Sequence, residues 1–403
     1  MEIRNLSKLS RNTVSLMKVS ILTPNFSSNC LGRAYLLAQL ISQFSEVEIV
    51  GPALAKDVWE PLSNQADIPF KVINWSSTAF IKKISSAVSG DVIYASKPLI
   101  NSFGVALIIH QKTGIPVILD IDDWELGFVK DSANSVFKLP FYAFPHRFNG
   151  FQSISDVFLL EKTAQLLREE ISITVSNSFL QKMFGGTIIW HTRDENVFNP
   201  KKYDPEESRR SFGIPEDKVV LMFFGTPRPH KGLEELIQAI YTTEELRNNQ
   251  ELTLVIGGIG KDLYSQKIAQ LGKKLLGDKV IFIGHVPFEE TPKAVVASDI
   301  YIIPQKKTYA SFGQLPAKLF DAMAMARAII STNVSDIPRI LDGVGIVISS
   351  ETLEKNLSEE ILYLVENLDE ARKLGTKARR RFVKLYGFNP MRKKLERILR
   401  TKT

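Results

Sequence analysis

The chain has 403 residues, 44% apolar and 24% charged, which is a soluble globular composition too long for one ordinary core, so two domains are expected. No apolar run approaches the ~18–20 residues of a membrane span. A single cysteine, Cys30, excludes an internal disulfide and fits a reducing cytoplasm. The net charge of +7 is uneven: residues 371–403 hold 13 Lys/Arg against one acid, Glu396, giving +12 there and −5 elsewhere. That cluster reads either as the solvated faces of two terminal helices or as a basic patch for an anionic membrane surface or acceptor. Nucleic acid is disfavoured, because no stacking aromatics are interleaved with the charges.

The opening "MEIRNLSKLSRNTVSLM" lacks a secretory apolar core and a cleavage site, and reads as a ragged tail. "MKVSILTP" then predicts a strand, followed by an amphipathic helix from Leu31 to Phe44. "EVEIVGP", "DVIYAS", "PVILDI", "SITVS" and "TIIWH" predict further strands with helix-length segments between them. "NVFNPKKYDPEESRR", rich in Pro, Asn and charge, reads as a linker. The pattern then restarts: "DKVVLMFFG" and a helix over 230–248, "LTLVIGG" and a helix over 262–275, "KVIFIG" and a helix over 288–298. "DIYIIP", a helix from about 315 and "AIIST" follow. Strand–helix alternation predicts parallel sheets covered on both faces, and two such halves leave a cleft between them. Ligands in these sheets sit beyond the carboxyl ends of the strands.

Four stretches lie at such ends. "FFGTPRPHKGLEELIQAI" (223–240) follows Gly225 with Arg228, His230 and Lys231 in a short turn before a helix. Unpaired N–H groups there already favour an anion, and added cations suggest a diphosphate. "SFGQLPAKLFDAMAMARAII" (311–330) places Gly313 and Pro316 before a helix whose N–H groups, near Gly313, Gln314, Leu315 and Lys318, form a second anion site. Asp321, further along, could accept from vicinal hydroxyls. "ILDIDDWELGF" (118–128) sets Asp120, Asp122 and Asp123 after a strand, for acceptor hydroxyls, a divalent cation or simple capping of a loop. "SSNCLGRAY" (27–35) offers Gly32 for close backbone approach, without a dinucleotide fingerprint. "VFKLPFYAFPHRFNGF" (136–151), aromatic with Lys138, His146 and Arg147, reads as packing or as a surface for a lipid-linked acceptor.

Taken in order, these segments resemble a glycosyltransferase of family 4 with the GT-B fold. "FFGTPRPHKGLEELIQAI", "VIGG", "IFIGHVPFEETPKAVVASDIYIIPQ" and "PAKLFDAMAMARAIISTNVSDIPRIL" match its later segments. "IIWHTRDENVFNP" resembles the segment before the domain crossing, and "YGFNPMRKKLERIL" the closing helix. The resemblance implies two Rossmann-like domains facing across a cleft. Residues 1–200 would bind acceptor, 201–385 the donor, and 386–403 would return to the first domain. It implies retaining transfer of a sugar from a UDP- or GDP-sugar to a glycan, a lipid-linked or another acceptor, without a metal or a tightly bound cofactor. The lone cysteine and the basic C-terminal segment point to a cytoplasmic enzyme, peripheral on the inner face of a membrane. Lys231 stands at the phosphate-binding lysine and Asp321 at the second of two acids that hold the ribose. Gly225, Thr226 and Val286 would complete the donor site. Arg228, Lys231, Asp122 and Asp123 would carry the chemistry. The chain departs from the family where Gly313 replaces the first acid, where Thr226 replaces an arginine, and where Ala326 and Arg327 replace a Gly-x pair. A metal-dependent transferase, a binding subunit without turnover, an epimerase and a sugar-phosphate synthase remain as alternatives.

Overall fold

A computed structural model describes residues 17–74, 79–132 and 154–402, so the tail over 1–16 and the whole aromatic stretch at 136–151 lie outside the described residues. Among the described residues, thirteen strands form two all-parallel sheets. The first has the order β3-β2-β1-β4-β5-β6-β7, from Lys18–Leu22 (β1) through Glu46–Ala53 (β2), Phe70–Asn74 (β3), Val92–Ser96 (β4), Val117–Ile121 (β5) and Ser172–Val175 (β6) to Thr187–Ile188 (β7). The second has the order β10-β9-β8-β11-β12-β13. It is built from Val219–Phe224 (β8), Leu252–Gly257 (β9), Val280–Ile283 (β10), Ile300–Ile303 (β11), Ala328–Thr332 (β12) and Ile346–Ile348 (β13).

The central strands are apolar without alternation, as "VVLMFF" and "LTLVIG" show, because helices cover both faces of each sheet. Leu221, Phe223, Leu254 and Ile256 face one helix layer with Leu236, Ile240 and Ile268. Met222, Val255 and Tyr301 face the other with Leu319, Phe320 and Phe382. The closing helix Phe388–Arg400 buries Met391, Leu395 and Leu399 in one cluster with Leu31, Ala34 and Leu37 of helix Cys30–Ile41. Its Lys394 Nζ also donates to the Ile188 carbonyl at 3.1 Å.

Several elements differ from the sequence expectation. The helix expected over 230–248 is a 3-10 turn Pro229–Lys231, a helix Leu233–Thr242 and a short helix Glu244–Asn248, broken where Thr243 is extended. The helix expected from about 315 starts at Lys318, because Pro316 and Ala317 form a turn in which Leu319 N–H reaches the Pro316 carbonyl at 3.1 Å. Gly32 lies inside helix Cys30–Ile41 rather than in the turn before it, and a Cβ there would meet Trp59 at 3.3 Å. Strands β3 and β13 were not foreseen.

Candidate active site

In both sheets the strand order reverses between neighbours that are not consecutive, at β1/β4 and at β8/β11. Side chains beyond those carboxyl ends are the ones placed to meet a ligand.

Beyond β8 the chain turns at Gly225, with φ +133°, and passes through the Pro229–Lys231 turn to Gly232, with φ +70°. Gly232 has to be glycine, since a Cβ would sit 1.9 Å from the Pro304 carbonyl oxygen. This close crossing fixes Lys231 against the end of β11. Its Nζ donates to Gln314 Oε1 at 2.7 Å and to Gln305 Oε1 at 3.5 Å. Burial pulls the Lys231 pKa down to about 8, with Asp123 opposing and Arg228 adding to the shift. Lys318 comes from the other side. Its Nζ lies over the Phe223 ring, 3.5 Å from the centroid, and 2.8 Å from where a Gly225 Cβ would stand. That Nζ is buried and makes no hydrogen bond. Burial, then repulsion by Lys231, hold Lys318 well below the usual lysine range. Two desolvated ammonium groups thus converge on the turn after β8.

The other expected donor residues take varied places. Thr226 is half-buried in the same turn, and Val286 is half-buried in the loop after β10. Arg228 points outward, half-exposed, 3.7 Å from Asp262 Oδ1. Leu315 is a core residue at 1% exposure, leaving only its backbone to face a ligand. Asp321 is buried and its Oδ1 lies 2.6 Å from Arg193 Nε, so its carboxylate is already engaged. Burial raises the Asp321 pKa, and Arg193 opposes that. Gly313 faces the first half of the chain. A Cβ there would lie 2.3 Å from Trp124 Cβ and 2.9 Å from Trp124 N, so no acid fits at this position. The Gly313 carbonyl accepts from Asn177 Nδ2 at 2.8 Å.

The acids lie at the carboxyl end of β5, Asp120 within the strand rather than after it, and Asp122 and Asp123 just beyond. Asp120 is fully buried and takes Arg33 in a two-pronged pair, Nε to Oδ2 at 2.9 Å and Nη2 to Oδ1 at 2.8 Å. Asp122, Asp123 and Glu125 all surround the Lys97 ammonium, at 3.0, 2.6 and 2.8 Å. A cation therefore already occupies the centre a divalent ion would take. Among the described residues no group of three or more His, Cys, Asp or Glu side chains is arranged to hold a metal. Burial raises the Asp122 pKa. Burial also acts to raise Asp123, but the charge and hydrogen bond of Lys97 outweigh it and hold Asp123 below the usual carboxylate range.

The two groups meet. Asp123 Oδ1 accepts from Gln314 Nε2 at 3.2 Å, so a chain of contacts runs from Lys97 through Asp123 and Gln314 to Lys231. Helix Glu125–Ser132 docks onto helix Tyr309–Gly313, and Asp131 accepts from the Tyr309 and Ala310 N–H groups at 2.9 Å each. Lys97, Arg193 and Gln305 were not foreseen. Each follows a strand directly or within a few residues, so the rule that found Lys231 would have found them.

Residues 204–381 match the family model described as glycosyl transferases, group 1. That segment, somewhat under half of the chain, is similar to the glycosyl transferases of group 1. Among curated relatives, an uncharacterized glycosyltransferase of Methanocaldococcus jannaschii is 26% identical over 56% of this chain and 59% of its own length. D-inositol 3-phosphate glycosyltransferase of a Nocardioides species is 27% identical over 43% of this chain and 39% of its length. The chain thus spans less than two thirds of either relative. Among solved structures, HepE of Anabaena with UDP and glucose superposes with a TM-score of 0.72 at 15% identity, covering 96% of this chain and 100% of that one. Sucrose-phosphate synthase of Thermosynechococcus elongatus gives 0.69 at 16% identity, covering 96% and 98%. These likenesses establish the fold as GT-B, with two Rossmann-like α/β domains.

Proposed function

We propose that the chain transfers a sugar from a UDP- or GDP-linked sugar to a hydroxyl of a glycan or lipid-linked acceptor, with retention of configuration. The observation that carries this reading is the pair of half-buried lysines, Lys231 and Lys318, whose amino groups converge on the turn after β8 in the segment similar to glycosyl transferases of group 1. Burial disfavours the charge on both lysines, and a diphosphate would offset that cost. In this reading residues 201–385 bind donor, residues 1–200 bind acceptor and residues 386–403 tie the two together.

The donor's glycosidic C–O bond breaks as charge builds on the leaving β-phosphate. Lys231, Lys318 and the more distant Arg228 stabilise that charge, with backbone groups of Gly225, Thr226 and the segment 313–318 lining the same turn. A phosphate oxygen takes the acceptor's proton on the face the donor leaves, and the acceptor oxygen forms the new bond on that face. Asp123, the most exposed of the three acids on Lys97, orients the acceptor hydroxyl, with Asp122 beside it. In this reading Val286 and Asp321 complete the donor site. Asp321 would reach a ribose only by sharing its charge with Arg193.

A second reading, a subunit that binds sugar nucleotide without turning it over, is favoured by one observation: the family's first acid has no room at Gly313. Incubation with a panel of UDP- and GDP-hexoses, with calorimetry of UDP and GDP, separates the two. Turnover supports transfer, binding alone supports the second reading, and neither removes both. An anionic membrane surface is a further proposed partner, facing Lys377, Arg380, Lys384, Lys393 and Arg397, all exposed on the last two helices. Among the described residues no helix is long and apolar enough to cross a membrane.

A further inference from the structure

Lys97 has three unusual properties at once. It is a non-glycine residue with φ +70°, directly after β4, and it precedes a π turn at Ile100–Gly104. Backbone outliers and π turns both concentrate at functional sites. The conformation is held from both ends: the Lys97 N–H donates to the Asp120 carbonyl at 2.7 Å, and its own carbonyl accepts from Ser102 Oγ at 2.8 Å. The left-handed turn sends the ammonium inward, 5% exposed, onto Asp122, Asp123 and Glu125. One cation thus faces three acids, and only Asp123, at 20%, keeps appreciable access to solvent.

We propose that Lys97 is the positioning residue of the acceptor side, holding Asp123 Oδ2 so that Oδ1 reaches Gln314 and the carboxylate faces the cleft. This rests on the glycosyl-transfer reading and deepens it. Removing the ammonium leaves three acids with mutual repulsion and frees Asp123 to rotate or protonate. Removing Glu125 has the opposite effect, because the ammonium then serves two acids. Other charged groups face the cluster from every side. Asp120 is neutralised by Arg33, and Cys30 and His191 lie beside the ammonium. Glu161 approaches from helix Ile154–Leu166, and Arg193 and Lys231 from the far side. None of these changes in the variants below, so their fields cancel in the comparison.

The experiment compares Lys97→Met, Lys97→Arg and Glu125→Gln with the wild type. It measures pH–rate profiles of nucleoside diphosphate release from the best donor in a UDP- and GDP-hexose panel, together with affinity for that nucleoside diphosphate. Lys97→Met should lower kcat on the order of 100-fold, with nucleoside diphosphate affinity changed far less, through the Asp123–Gln314–Lys231 contacts alone. Its acid limb should move to higher pH, whereas that of Glu125→Gln moves to lower pH. Lys97→Arg should recover most of the rate and the wild-type limb. Rates that fall in both neutralising variants with the limb unmoved, or no recovery with arginine, would overturn the proposal. Should Lys97→Met not fold, the Glu125→Gln limb and the Lys97→Arg rate still decide it. A wild type that binds UDP but turns nothing over leaves Lys97 no reaction to serve and overturns the proposal alone. A wild type that binds no nucleotide overturns the functional reading as well.

Discussion

Gln314 donates from Nε2 to Asp123 Oδ1 at 3.2 Å, and so joins a carboxylate of one half of the protein to an amide of the other. The same amide accepts from Lys231 through its oxygen. On the proposed function, a diphosphate at Lys231 would compete with Gln314 for that ammonium, and the change would be felt at Asp123.

Lys231→Ala should reduce transfer by at least ~100–1,000-fold, the range for removing one preorganised charge contact. The fold should survive with an unchanged or raised Tm, because a desolvated lysine is a burden on the folded state. Steady-state kinetics with circular dichroism and a thermal melt check both halves. Near-wild-type turnover would remove Lys231 from the phosphate site.

Lys231 also makes a prediction about pH. Its pKa is lowered from 10.5 to about 8 in the folded protein. Between those values the unfolded lysine holds a proton the folded one has shed, so this group alone makes stability rise with pH there. Diphosphate binding runs the other way, since it needs the ammonium. UDP affinity should weaken as pH rises through about 8, with proton uptake on binding. Calorimetry at several pH values, in buffers of different ionisation enthalpy, reads this directly. A flat affinity from pH 7 to 9 with no proton uptake would contradict it.

Asp321→Asn should destabilise the protein by ~3–5 kcal/mol, because it leaves Arg193 buried without its counter-charge. The double variant Arg193→Met with Asp321→Asn should recover part of that loss. Urea unfolding of the three variants and the wild type provides the cycle. If the single substitution costs no more than a surface change, the pair is not the structural tie described.

Ala326 has φ +55°, in the left-handed region, where an L side chain is strained. Ala326→Gly should stabilise the fold by up to ~1 kcal/mol, the released strain being partly offset by a freer unfolded chain. A thermal or urea midpoint shift measures it. A clear loss of stability would show that the methyl group's packing outweighs the backbone strain.

The basic terminal helices should bind anionic vesicles and not neutral ones, with the attraction lost at high salt. Each exposed basic residue near such a surface contributes ~1 kcal/mol, fading over a Debye length of ~8 Å. Not all of the cluster is available. Arg379 is tied to the Glu195, Phe198 and Ala324 carbonyls, and Arg392 and Arg400 to Glu396. Co-sedimentation with the two vesicle types at low and high salt decides the matter. Binding indifferent to salt and lipid charge, or none, makes the cluster a solvated face.

The parallel sheets were legible because their central strands are buried on both faces and so read as unbroken apolar runs. β8 and β9 are the clearest cases. β3 "FKVIN", at the edge and half-exposed, and β13, three residues long, carry too little apolar pattern to be read. The turn holding Lys231 stood out because its glycines and cations are neighbours in sequence. The pairs Arg193–Asp321 and Gln314–Asp123 did not, since each partner lies on a different element and only the packing of the two halves brings them together. The position of Lys97 directly after β4 was readable, but its inward direction was not, since that depends on its left-handed backbone.

Where helix Glu125–Ser132 meets helix Tyr309–Gly313, the close approach depends on two glycines that carry no functional group. A Cβ at Gly127 would press on Trp124 and on the Tyr309 carbonyl at 3.0 Å, and one at Gly313 on the Trp124 backbone nitrogen at 2.9 Å. Side-chain truncation at position 124 cannot relieve the second clash, because part of it is with main chain. In a randomised library selected for activity, positions 127 and 313 should therefore tolerate nothing but glycine. Their mutational profile would look as strict as that of Lys231, although neither residue donates, accepts or carries charge through a side chain.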